Sequence, residues 1–223
     1  MSEICRFEDR WYRLALPELS EPRTLVLALH GLGQSVGVRS VFRGLHFPSL
    51  SSLEEFGDSV QWGTAFPAGN WRNWERTDLP FLASLMPHLR SEHRLERIIL
   101  AGFSDGAWLC HWLLREHSEL FEGALIHSGQ FPEELRGRVN ARNRVPVLLA
   151  AGQQEGPVIT ADFRAAAEQY AREGHAVHTW SGPGGHEWDV GVNGWMHHIF
   201  ESIRSSVQSG TCEEANTRPG DTV

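Results

Sequence analysis

The chain has 223 residues, of which 41% are hydrophobic and 22% charged, so one folded domain with a sizeable core is expected and general disorder is not. A formal net charge of −8 argues against nucleic acid or an anionic membrane surface as the main partner. No apolar run approaches the roughly 18 residues of a membrane-spanning helix, so no membrane insertion is expected.

The amino-terminal sequence MSEICRFEDRW lacks the apolar centre of a secretory signal. Three widely spaced cysteines without a metal-binding pattern (Cys5, Cys110, Cys212) predict free thiols in a reducing compartment. A cytoplasmic location is the resulting expectation.

Apolar runs of strand length recur along the chain and alternate with segments of helical spacing. The predicted strands are Arg10–Leu16 (an edge strand), Thr24–Leu29, Val60–Pro67, Ile98–Leu100, Gly123–His127, Val145–Ala151 and Ala176–Trp180. Helical spacing is predicted at Ser49–Phe56, from Asp78, from the segment after residue 104, in the stripe from Phe163 that ends at Gly174, and around Trp195–Ile203. This alternation predicts a doubly wound, mainly parallel α/β sheet in one domain over residues 1–207. The polar composition of residues 208–223 predicts a disordered tail. No stretch is long enough to form a large lid, and Val36–Pro48 is the one place where a small flap could form.

The sequence Gly102-Phe103-Ser104-Asp105-Gly106 lies between an apolar strand and a helical segment. Strand, G-x-S-x-G and helix are typical of a nucleophile elbow, a turn so tight that it needs glycine on both sides of the serine. Ser104 is therefore the candidate nucleophile.

A serine hydroxyl needs a base, and the base needs an acid that orients it. In elbow-type hydrolases these follow in the order serine, acid, histidine. His186 lies in the glycine-rich loop GPGGHEW after the last predicted strand and is the candidate base. Glu155, three residues past the glycine that follows the 145–151 strand, is the favoured acid. Asp162, at a predicted helix start, is the alternative.

Charge that develops on a carbonyl oxygen needs preset hydrogen-bond donors. One candidate is the backbone N–H of Asp105, directly after the serine. The other is that of Leu32, between two glycines in the loop after the Thr24–Leu29 strand, where His30 is expected to be structural. Trp71, Trp74 and Trp188 lie in loops near the predicted site and are candidate substrate-binding residues.

The motifs HGLGQS, GFSDGA and GGHEW, with an acid at Gly-x-x-acid after a strand, together resemble the α/β-hydrolase superfamily. Within it the chain is most similar to the phospholipase/carboxylesterase branch, which includes acyl-protein thioesterases. Polyhydroxybutyrate depolymerases and feruloyl esterases are close competitors. The resemblance covers about Thr24 to Ile203 and implies serine ester hydrolysis without metal or organic cofactor. Those families usually have aspartate at the position of Glu155.

The expected function is hydrolysis of small carboxylic esters or thioesters, with short to medium acyl or aromatic acids, through an acyl-enzyme. A ligand-binding protein that has kept the fold without turnover is the alternative. The oligomeric state is not fixed by the sequence.

Overall fold

The computed structural model describes residues 2–18, 23–32, 51–69, 73–137 and 143–209. Within these residues eight strands form one sheet: β1 (Ser2–Phe7), β2 (Arg10–Ala15), β3 (Thr24–Leu29), β4 (Gly63–Pro67), β5 (Arg97–Phe103), β6 (Gly123–His127), β7 (Val147–Gly152) and β8 (Val177–Gly182). Their spatial order is β1-β2-β4-β3-β5-β6-β7-β8. The strands from β3 to β8 run parallel, while β1 and β2 pair in antiparallel fashion.

In the described part of the chain, five helices accompany the sheet: α1 (Ser51–Val60), α2 (Leu79–His93), α3 (Asp105–His117), α4 (Pro157–Glu173) and α5 (Gly191–Ser209). Short 3-10 turns lie at Arg76–Asp78, Ser118–Leu120 and Glu133–Leu135. Buried residues of α2, α3 and α4 form one core cluster with the sheet, and those of α1 and α5 form another. The sheet is thus covered on both faces, as a doubly wound α/β fold requires, and the predicted fold class is confirmed.

The strand β3 shows how the sequence specifies this arrangement. All six of its residues are buried. Leu25, Leu27 and Leu29 belong to the first cluster, whereas Val26 and Ala28 belong to the second. Because successive side chains of a strand point to opposite faces, an uninterrupted apolar run is what a strand covered on both sides needs.

The edge of the sheet differs from the prediction. The segment Arg10–Leu16 was expected to be an edge strand, but β2 pairs with β1 on one side and β4 on the other. The edge strand is β1, whose sequence SEICRF carries two charged residues and is half exposed. Its position depends on antiparallel pairing with β2 rather than on apolar periodicity, so the apolar pattern did not predict it.

Element boundaries move by a few residues elsewhere. The helix predicted over Ser49–Phe56 begins at Ser51 in the described residues and continues to Val60. Helix α5 continues to Ser209, so residues 208 and 209, predicted to begin a disordered tail, are helical. Residues 210–223 and the predicted flap at 36–48 lie outside the described residues. Among the described helices, none combines the length and apolar character needed to cross a membrane.

Candidate active site

The turn between β5 and α3 has the geometry that its sequence predicts. Ser104 has φ 55° and ψ −112°, a left-handed backbone that costs about 1–3 kcal/mol. A Cβ on Gly102 would lie 2.5 Å from Cys110 Sγ, and one on Gly106 would lie 2.2 Å from the carbonyl oxygen of Leu29. Glycine is therefore required at both positions.

Backbone hydrogen bonds hold this turn against its neighbours. The N–H of Ser104 donates to the carbonyl of His127 at the end of β6 (2.9 Å), and the N–H of Trp108 donates to the carbonyl of Ser104 (3.1 Å). The strained serine is thus fixed to the adjacent strand and to the first turn of α3. Its hydroxyl lies at the carboxyl edge of the sheet, where doubly wound folds place their sites.

The loop after β8 brings His186 to this serine. Its Nε2 lies 2.8 Å from Ser104 Oγ, although the two residues are 82 positions apart in the chain. The imidazole lies beside the Phe103 ring, with the centroids 5.2 Å apart. The structure therefore brings the predicted nucleophile and base into hydrogen-bond contact.

The loop after β7 supplies the carboxylate. His186 Nδ1 lies 3.1 Å from both Oε1 and Oε2 of Glu155. The glutamate side chain is 3% exposed, compared with 46% for the histidine. Because a carboxylate accepts but does not donate, Nδ1 carries the imidazole proton. Nε2 is then free to accept the hydrogen bond from the Ser104 hydroxyl.

Close packing of the two loops fixes this geometry. The N–H of Gln153 donates to the carbonyl of Gly182 (2.8 Å), and the N–H of Gln154 donates to that of Gly184 (2.9 Å). A Cβ on Gly152 would lie 2.3 Å from the carbonyl oxygen of Gly185. Only glycine at position 152 lets the loop that carries Glu155 and the loop that carries His186 approach this closely.

The alternative acid, Asp162, has a different partner. It is a buried residue of α4 that pairs with the guanidinium of Arg136. The structure therefore brings Glu155, and not Asp162, into contact with His186.

Of the two predicted oxyanion donors, one lies within the elbow and the other in the loop after β3. Asp105 is the first residue of α3, so its N–H belongs to the free amino-terminal turn of that helix. Leu32 follows Gly31 and is 67% exposed. A Cβ on Gly31 would lie 3.1 Å from Phe103 Cδ1 and 3.3 Å from Ser104 Cβ. The loop that carries Leu32 consequently runs directly against the elbow.

A buried hydrogen-bond network joins these two segments. Asp105 Oδ2 accepts the backbone N–H of Trp74 (2.6 Å), and the indole N–H of Trp74 donates to the carbonyl of His30 (2.9 Å). Burial raises the pKa of Asp105, and the bond from Trp74 opposes that rise. Burial lowers the pKa of His30 to about 4, and its neutral ring contacts Gly31 O and the Gly69 N–H. His30 thus has the structural position that its sequence predicts.

A cavity of about 400 Å³ opens beside the serine. Its lining residues come from the segment before the Arg76–Asp78 turn, the elbow and α3, the segment after β6, the start of α4 and the loop after β8: Trp74, Ser104, Asp105, Trp108, Ser128, Gln130, Ile159 and His186. Four of these lining residues were not among the sequence predictions: Trp108, Ser128, Gln130 and Ile159. The position of Ser128 directly after the predicted strand Gly123–His127 was a usable signal, because the carboxyl ends of parallel strands are where doubly wound folds place their sites.

The three candidate tryptophans have different positions. Trp74 lines the cavity but is 2% exposed, so most of its ring packs in the core. Trp188 is buried behind the site, where it stacks on His127 and donates its indole N–H to Asn193 Oδ1 (3.0 Å); it is not among the lining residues of the cavity. Trp71 lies outside the described residues.

Among the described residues no group of three or more His, Cys, Asp and Glu side chains could hold a metal ion.

The sheet order, the elbow and the serine–histidine–carboxylate chain define the α/β-hydrolase fold. No protein-family model matches the chain. It is 28% identical over 158 residues to the putative esterase NocK of Nocardia uniformis subsp. tsuyamanensis, a match covering 66% of this chain and 45% of that protein. The chain therefore spans less than half the length of this relative.

Solved structures of esterases have the same fold. Esterase PE8 superposes with a TM-score of 0.69 at 18% identity, covering 85% of this chain and 97% of that one. The Bacillus cereus carboxylesterase superposes with a TM-score of 0.64 at 19% identity, covering 86% and 94%. These likenesses place the chain in the α/β-hydrolase fold.

Proposed function

We propose that the protein is a serine esterase that hydrolyses small carboxylic esters through an acyl-enzyme. The observation that carries this proposal is the continuous chain of contacts from Glu155 through His186 to Ser104, with 3.1 Å at one end of the imidazole and 2.8 Å at the other. The similarity to esterases in sequence and in fold supports it.

In the proposed reaction His186 Nε2 accepts the hydroxyl proton as Ser104 Oγ forms a bond to the ester carbonyl carbon. The carboxylate of Glu155 holds the ring in the required tautomer and stabilises the imidazolium. The backbone N–H groups of Leu32 and Asp105 donate to the developing oxyanion, each worth about 3 kcal/mol. Collapse of the intermediate breaks the bond to the alkoxide, which leaves with the proton from His186.

Water then completes the cycle. His186 accepts a proton from a water molecule that attacks the acyl-enzyme, and the same proton returns to Ser104 Oγ as the acid is released. No step draws on a group outside these residues, so the proposal requires neither a metal nor an organic cofactor.

The cavity supports small substrates. Its volume of about 400 Å³ lies near the lower end of the range for ligand sites. Trp108 and Ile159 give it apolar walls, and Ser128 and Gln130 give it polar groups. We therefore propose short to medium acyl or aromatic acids as substrates, with oxygen esters or thioesters as in the phospholipase/carboxylesterase branch. A small-molecule ester is the proposed partner, in keeping with the negative net charge.

The direct test is Ser104→Ala, assayed on p-nitrophenyl acetate and butyrate. We expect kcat/KM to fall at least about 10⁴-fold, because covalent catalysis is lost, while the thermal transition is retained. Undiminished hydrolysis would contradict the proposal. Labelling by a fluorophosphonate probe separates the alternative of a ligand-binding protein without turnover, since an inactive serine stays unlabelled. The intact contacts around His186 do not favour that alternative.

A further inference from the structure

A second serine lies beside the proposed nucleophile. Ser128 directly follows β6, is 2% exposed and forms part of the cavity wall. Phe103 and His127 are register partners in β5 and β6, so Ser104 and Ser128 leave adjacent strands side by side. Neighbouring strands are about 4.8 Å apart, which places the two residues within the span of one small substrate.

The backbone of Ser128 is held as firmly as that of Ser104. Its φ is 53°, in the left-handed region that favours glycine. Its N–H donates to the carbonyl of Ala150 in β7 (2.8 Å). A serine kept in a strained conformation beside a cavity is the kind of observation from which a functional role can be inferred.

The partner of its hydroxyl is His127. The N–H of Asp189 lies 3.3 Å from His127 Nε2, and since an N–H only donates, Nε2 is the unprotonated nitrogen. The proton of the neutral ring is then on Nδ1, which lies 2.9 Å from Ser128 Oγ and donates to it. Burial lowers the pKa of His127 to about 4, which agrees with a neutral ring.

This assignment decides the direction of the next hydrogen bond. Ser128 Oγ is occupied as an acceptor by His127, so its own proton must be donated elsewhere. Across the described parts of the chain, His127 is the only hydrogen-bond partner of this hydroxyl group. A buried donor that is left without an acceptor is unfavourable, and a bound molecule in the cavity would supply that acceptor.

We propose that Ser128 is a substrate-positioning residue that donates a hydrogen bond to an oxygen atom other than the ester group itself. The preferred substrates are then esters that carry a further ether, keto or hydroxyl oxygen near the scissile carbonyl. The hydrogen bonds from Asp189 to His127 and from His127 to Ser128 orient this donor. The inference rests on the proposed esterase function and specifies its substrate class.

The test compares substrate pairs that differ by one oxygen atom. In the acyl pair, p-nitrophenyl methoxyacetate is matched to p-nitrophenyl butyrate; in the alcohol pair, 2-methoxyethyl acetate is matched to butyl acetate. For each pair the preference is the ratio of the kcat/KM values, so intrinsic reactivity cancels between variants. In Ser128→Gly, which tolerates the positive φ, we expect the preference for the oxygenated ester to fall by about 3- to 10-fold in one pair. Most of the change should be in KM. Ser128→Ala serves as the second variant, and both are checked by thermal melts.

A binding measurement keeps this inference separate from the proposed function. In Ser104→Ala, the dissociation constants of ethyl methoxyacetate, ethyl butyrate and the alcohol pair are measured by tryptophan fluorescence, with and without Ser128→Gly. A preference that falls on removal of the hydroxyl supports the Ser128 role even if the wild-type protein shows no turnover, and the affected pair identifies the side of the ester. Unchanged preferences in both pairs overturn the inference. An equal loss for every ester also overturns it, because the hydroxyl would then serve the carbonyl group common to all of them.

Discussion

The proposed role of Glu155 as the orienting acid can be tested by replacing it with glutamine, which keeps the shape of the side chain and removes its charge. In the structure both carboxylate oxygens lie 3.1 Å from His186 Nδ1. An amide puts an NH₂ group at one of these positions, which favours the tautomer with the proton on Nε2. That nitrogen then cannot accept the Ser104 proton.

The size of the effect follows from the lost charge. Two unit charges about 3 Å apart interact by about 5 kcal/mol at an effective dielectric constant of 20. Since His186 is 46% exposed, solvent screening reduces this to about 3–5 kcal/mol for the imidazolium of the transition state. We expect kcat of Glu155→Gln to fall by roughly 10²- to 10⁴-fold, with little change in KM.

Glu155→Asp and Asp162→Asn are the matched controls. Aspartate keeps the charge but withdraws it by about 1.5 Å, so a loss of about tenfold is expected. Asp162→Asn breaks the pair with Arg136 and should lower the free energy of unfolding by about 1–3 kcal/mol, with kcat within twofold of the wild type. Steady-state kinetics and urea unfolding measure both effects. A Glu155→Gln variant with kcat within tenfold of the wild type, together with an inactive but folded Asp162→Asn variant, would refute the assignment.

Two further predictions concern stability. Gly106→Ala would place a Cβ 2.2 Å from the carbonyl oxygen of Leu29 in β3 and should destabilise the protein by about 2 kcal/mol or more. The control, Gly194→Ala, has nothing within 4 Å of its Cβ and should stabilise α5 by about 0.5–1 kcal/mol. Equal urea midpoints for the two variants would contradict the elbow packing. Burial lowers the pKa of three histidines to about 3 or 4 (His30, His111 and His127). As the pH falls, these histidines bind protons in the unfolded chain near pH 6.5, before they do so in the folded protein. Each therefore lowers the free energy of unfolding by up to about 1.4 kcal/mol per pH unit between about pH 6.5 and 4. A urea midpoint that stays constant from pH 7 to 5 would show that these rings are not buried in neutral form.

The sequence was informative where one local pattern has one structural outcome. The run Thr24–Leu29 forms a strand with the predicted bounds because a strand buried on both faces needs apolar residues throughout. The pentapeptide around Ser104 forms the turn because side chains at its glycines would overlap neighbouring atoms. The order serine, acid, histidine selected Glu155 and His186, which the structure brings into contact.

Contacts between distant segments left less trace in the sequence. The edge strand β1 depends on pairing with β2, and its polar residues carry no strand periodicity. The sequence predicts Asp162 at a helix start, which is wrong, because α4 begins at Pro157 and Asp162 lies inside it. Its partner Arg136 approaches from 26 residues away, so no local pattern shows this pair. The hydrogen bond from Asp189 to His127 joins residues 62 positions apart. Neither the tautomer of His127 nor the availability of the Ser128 hydroxyl as a hydrogen-bond donor therefore has a local sequence signature.

The packing of the core and the position of the site have a common origin in the register of β5 and β6. Pairing Leu100 with Ala124 and Phe103 with His127 buries both strands, and a slip of one residue would move every side chain to the opposite face. The same register places Ser104 and Ser128 next to each other at the strand ends, each with a positive φ near 55°. The backbone strain of about 1–3 kcal/mol at each serine is therefore offset by the strand pairing itself. It follows that core substitutions that loosen this pair of strands should reduce the proposed esterase activity before they unfold the protein.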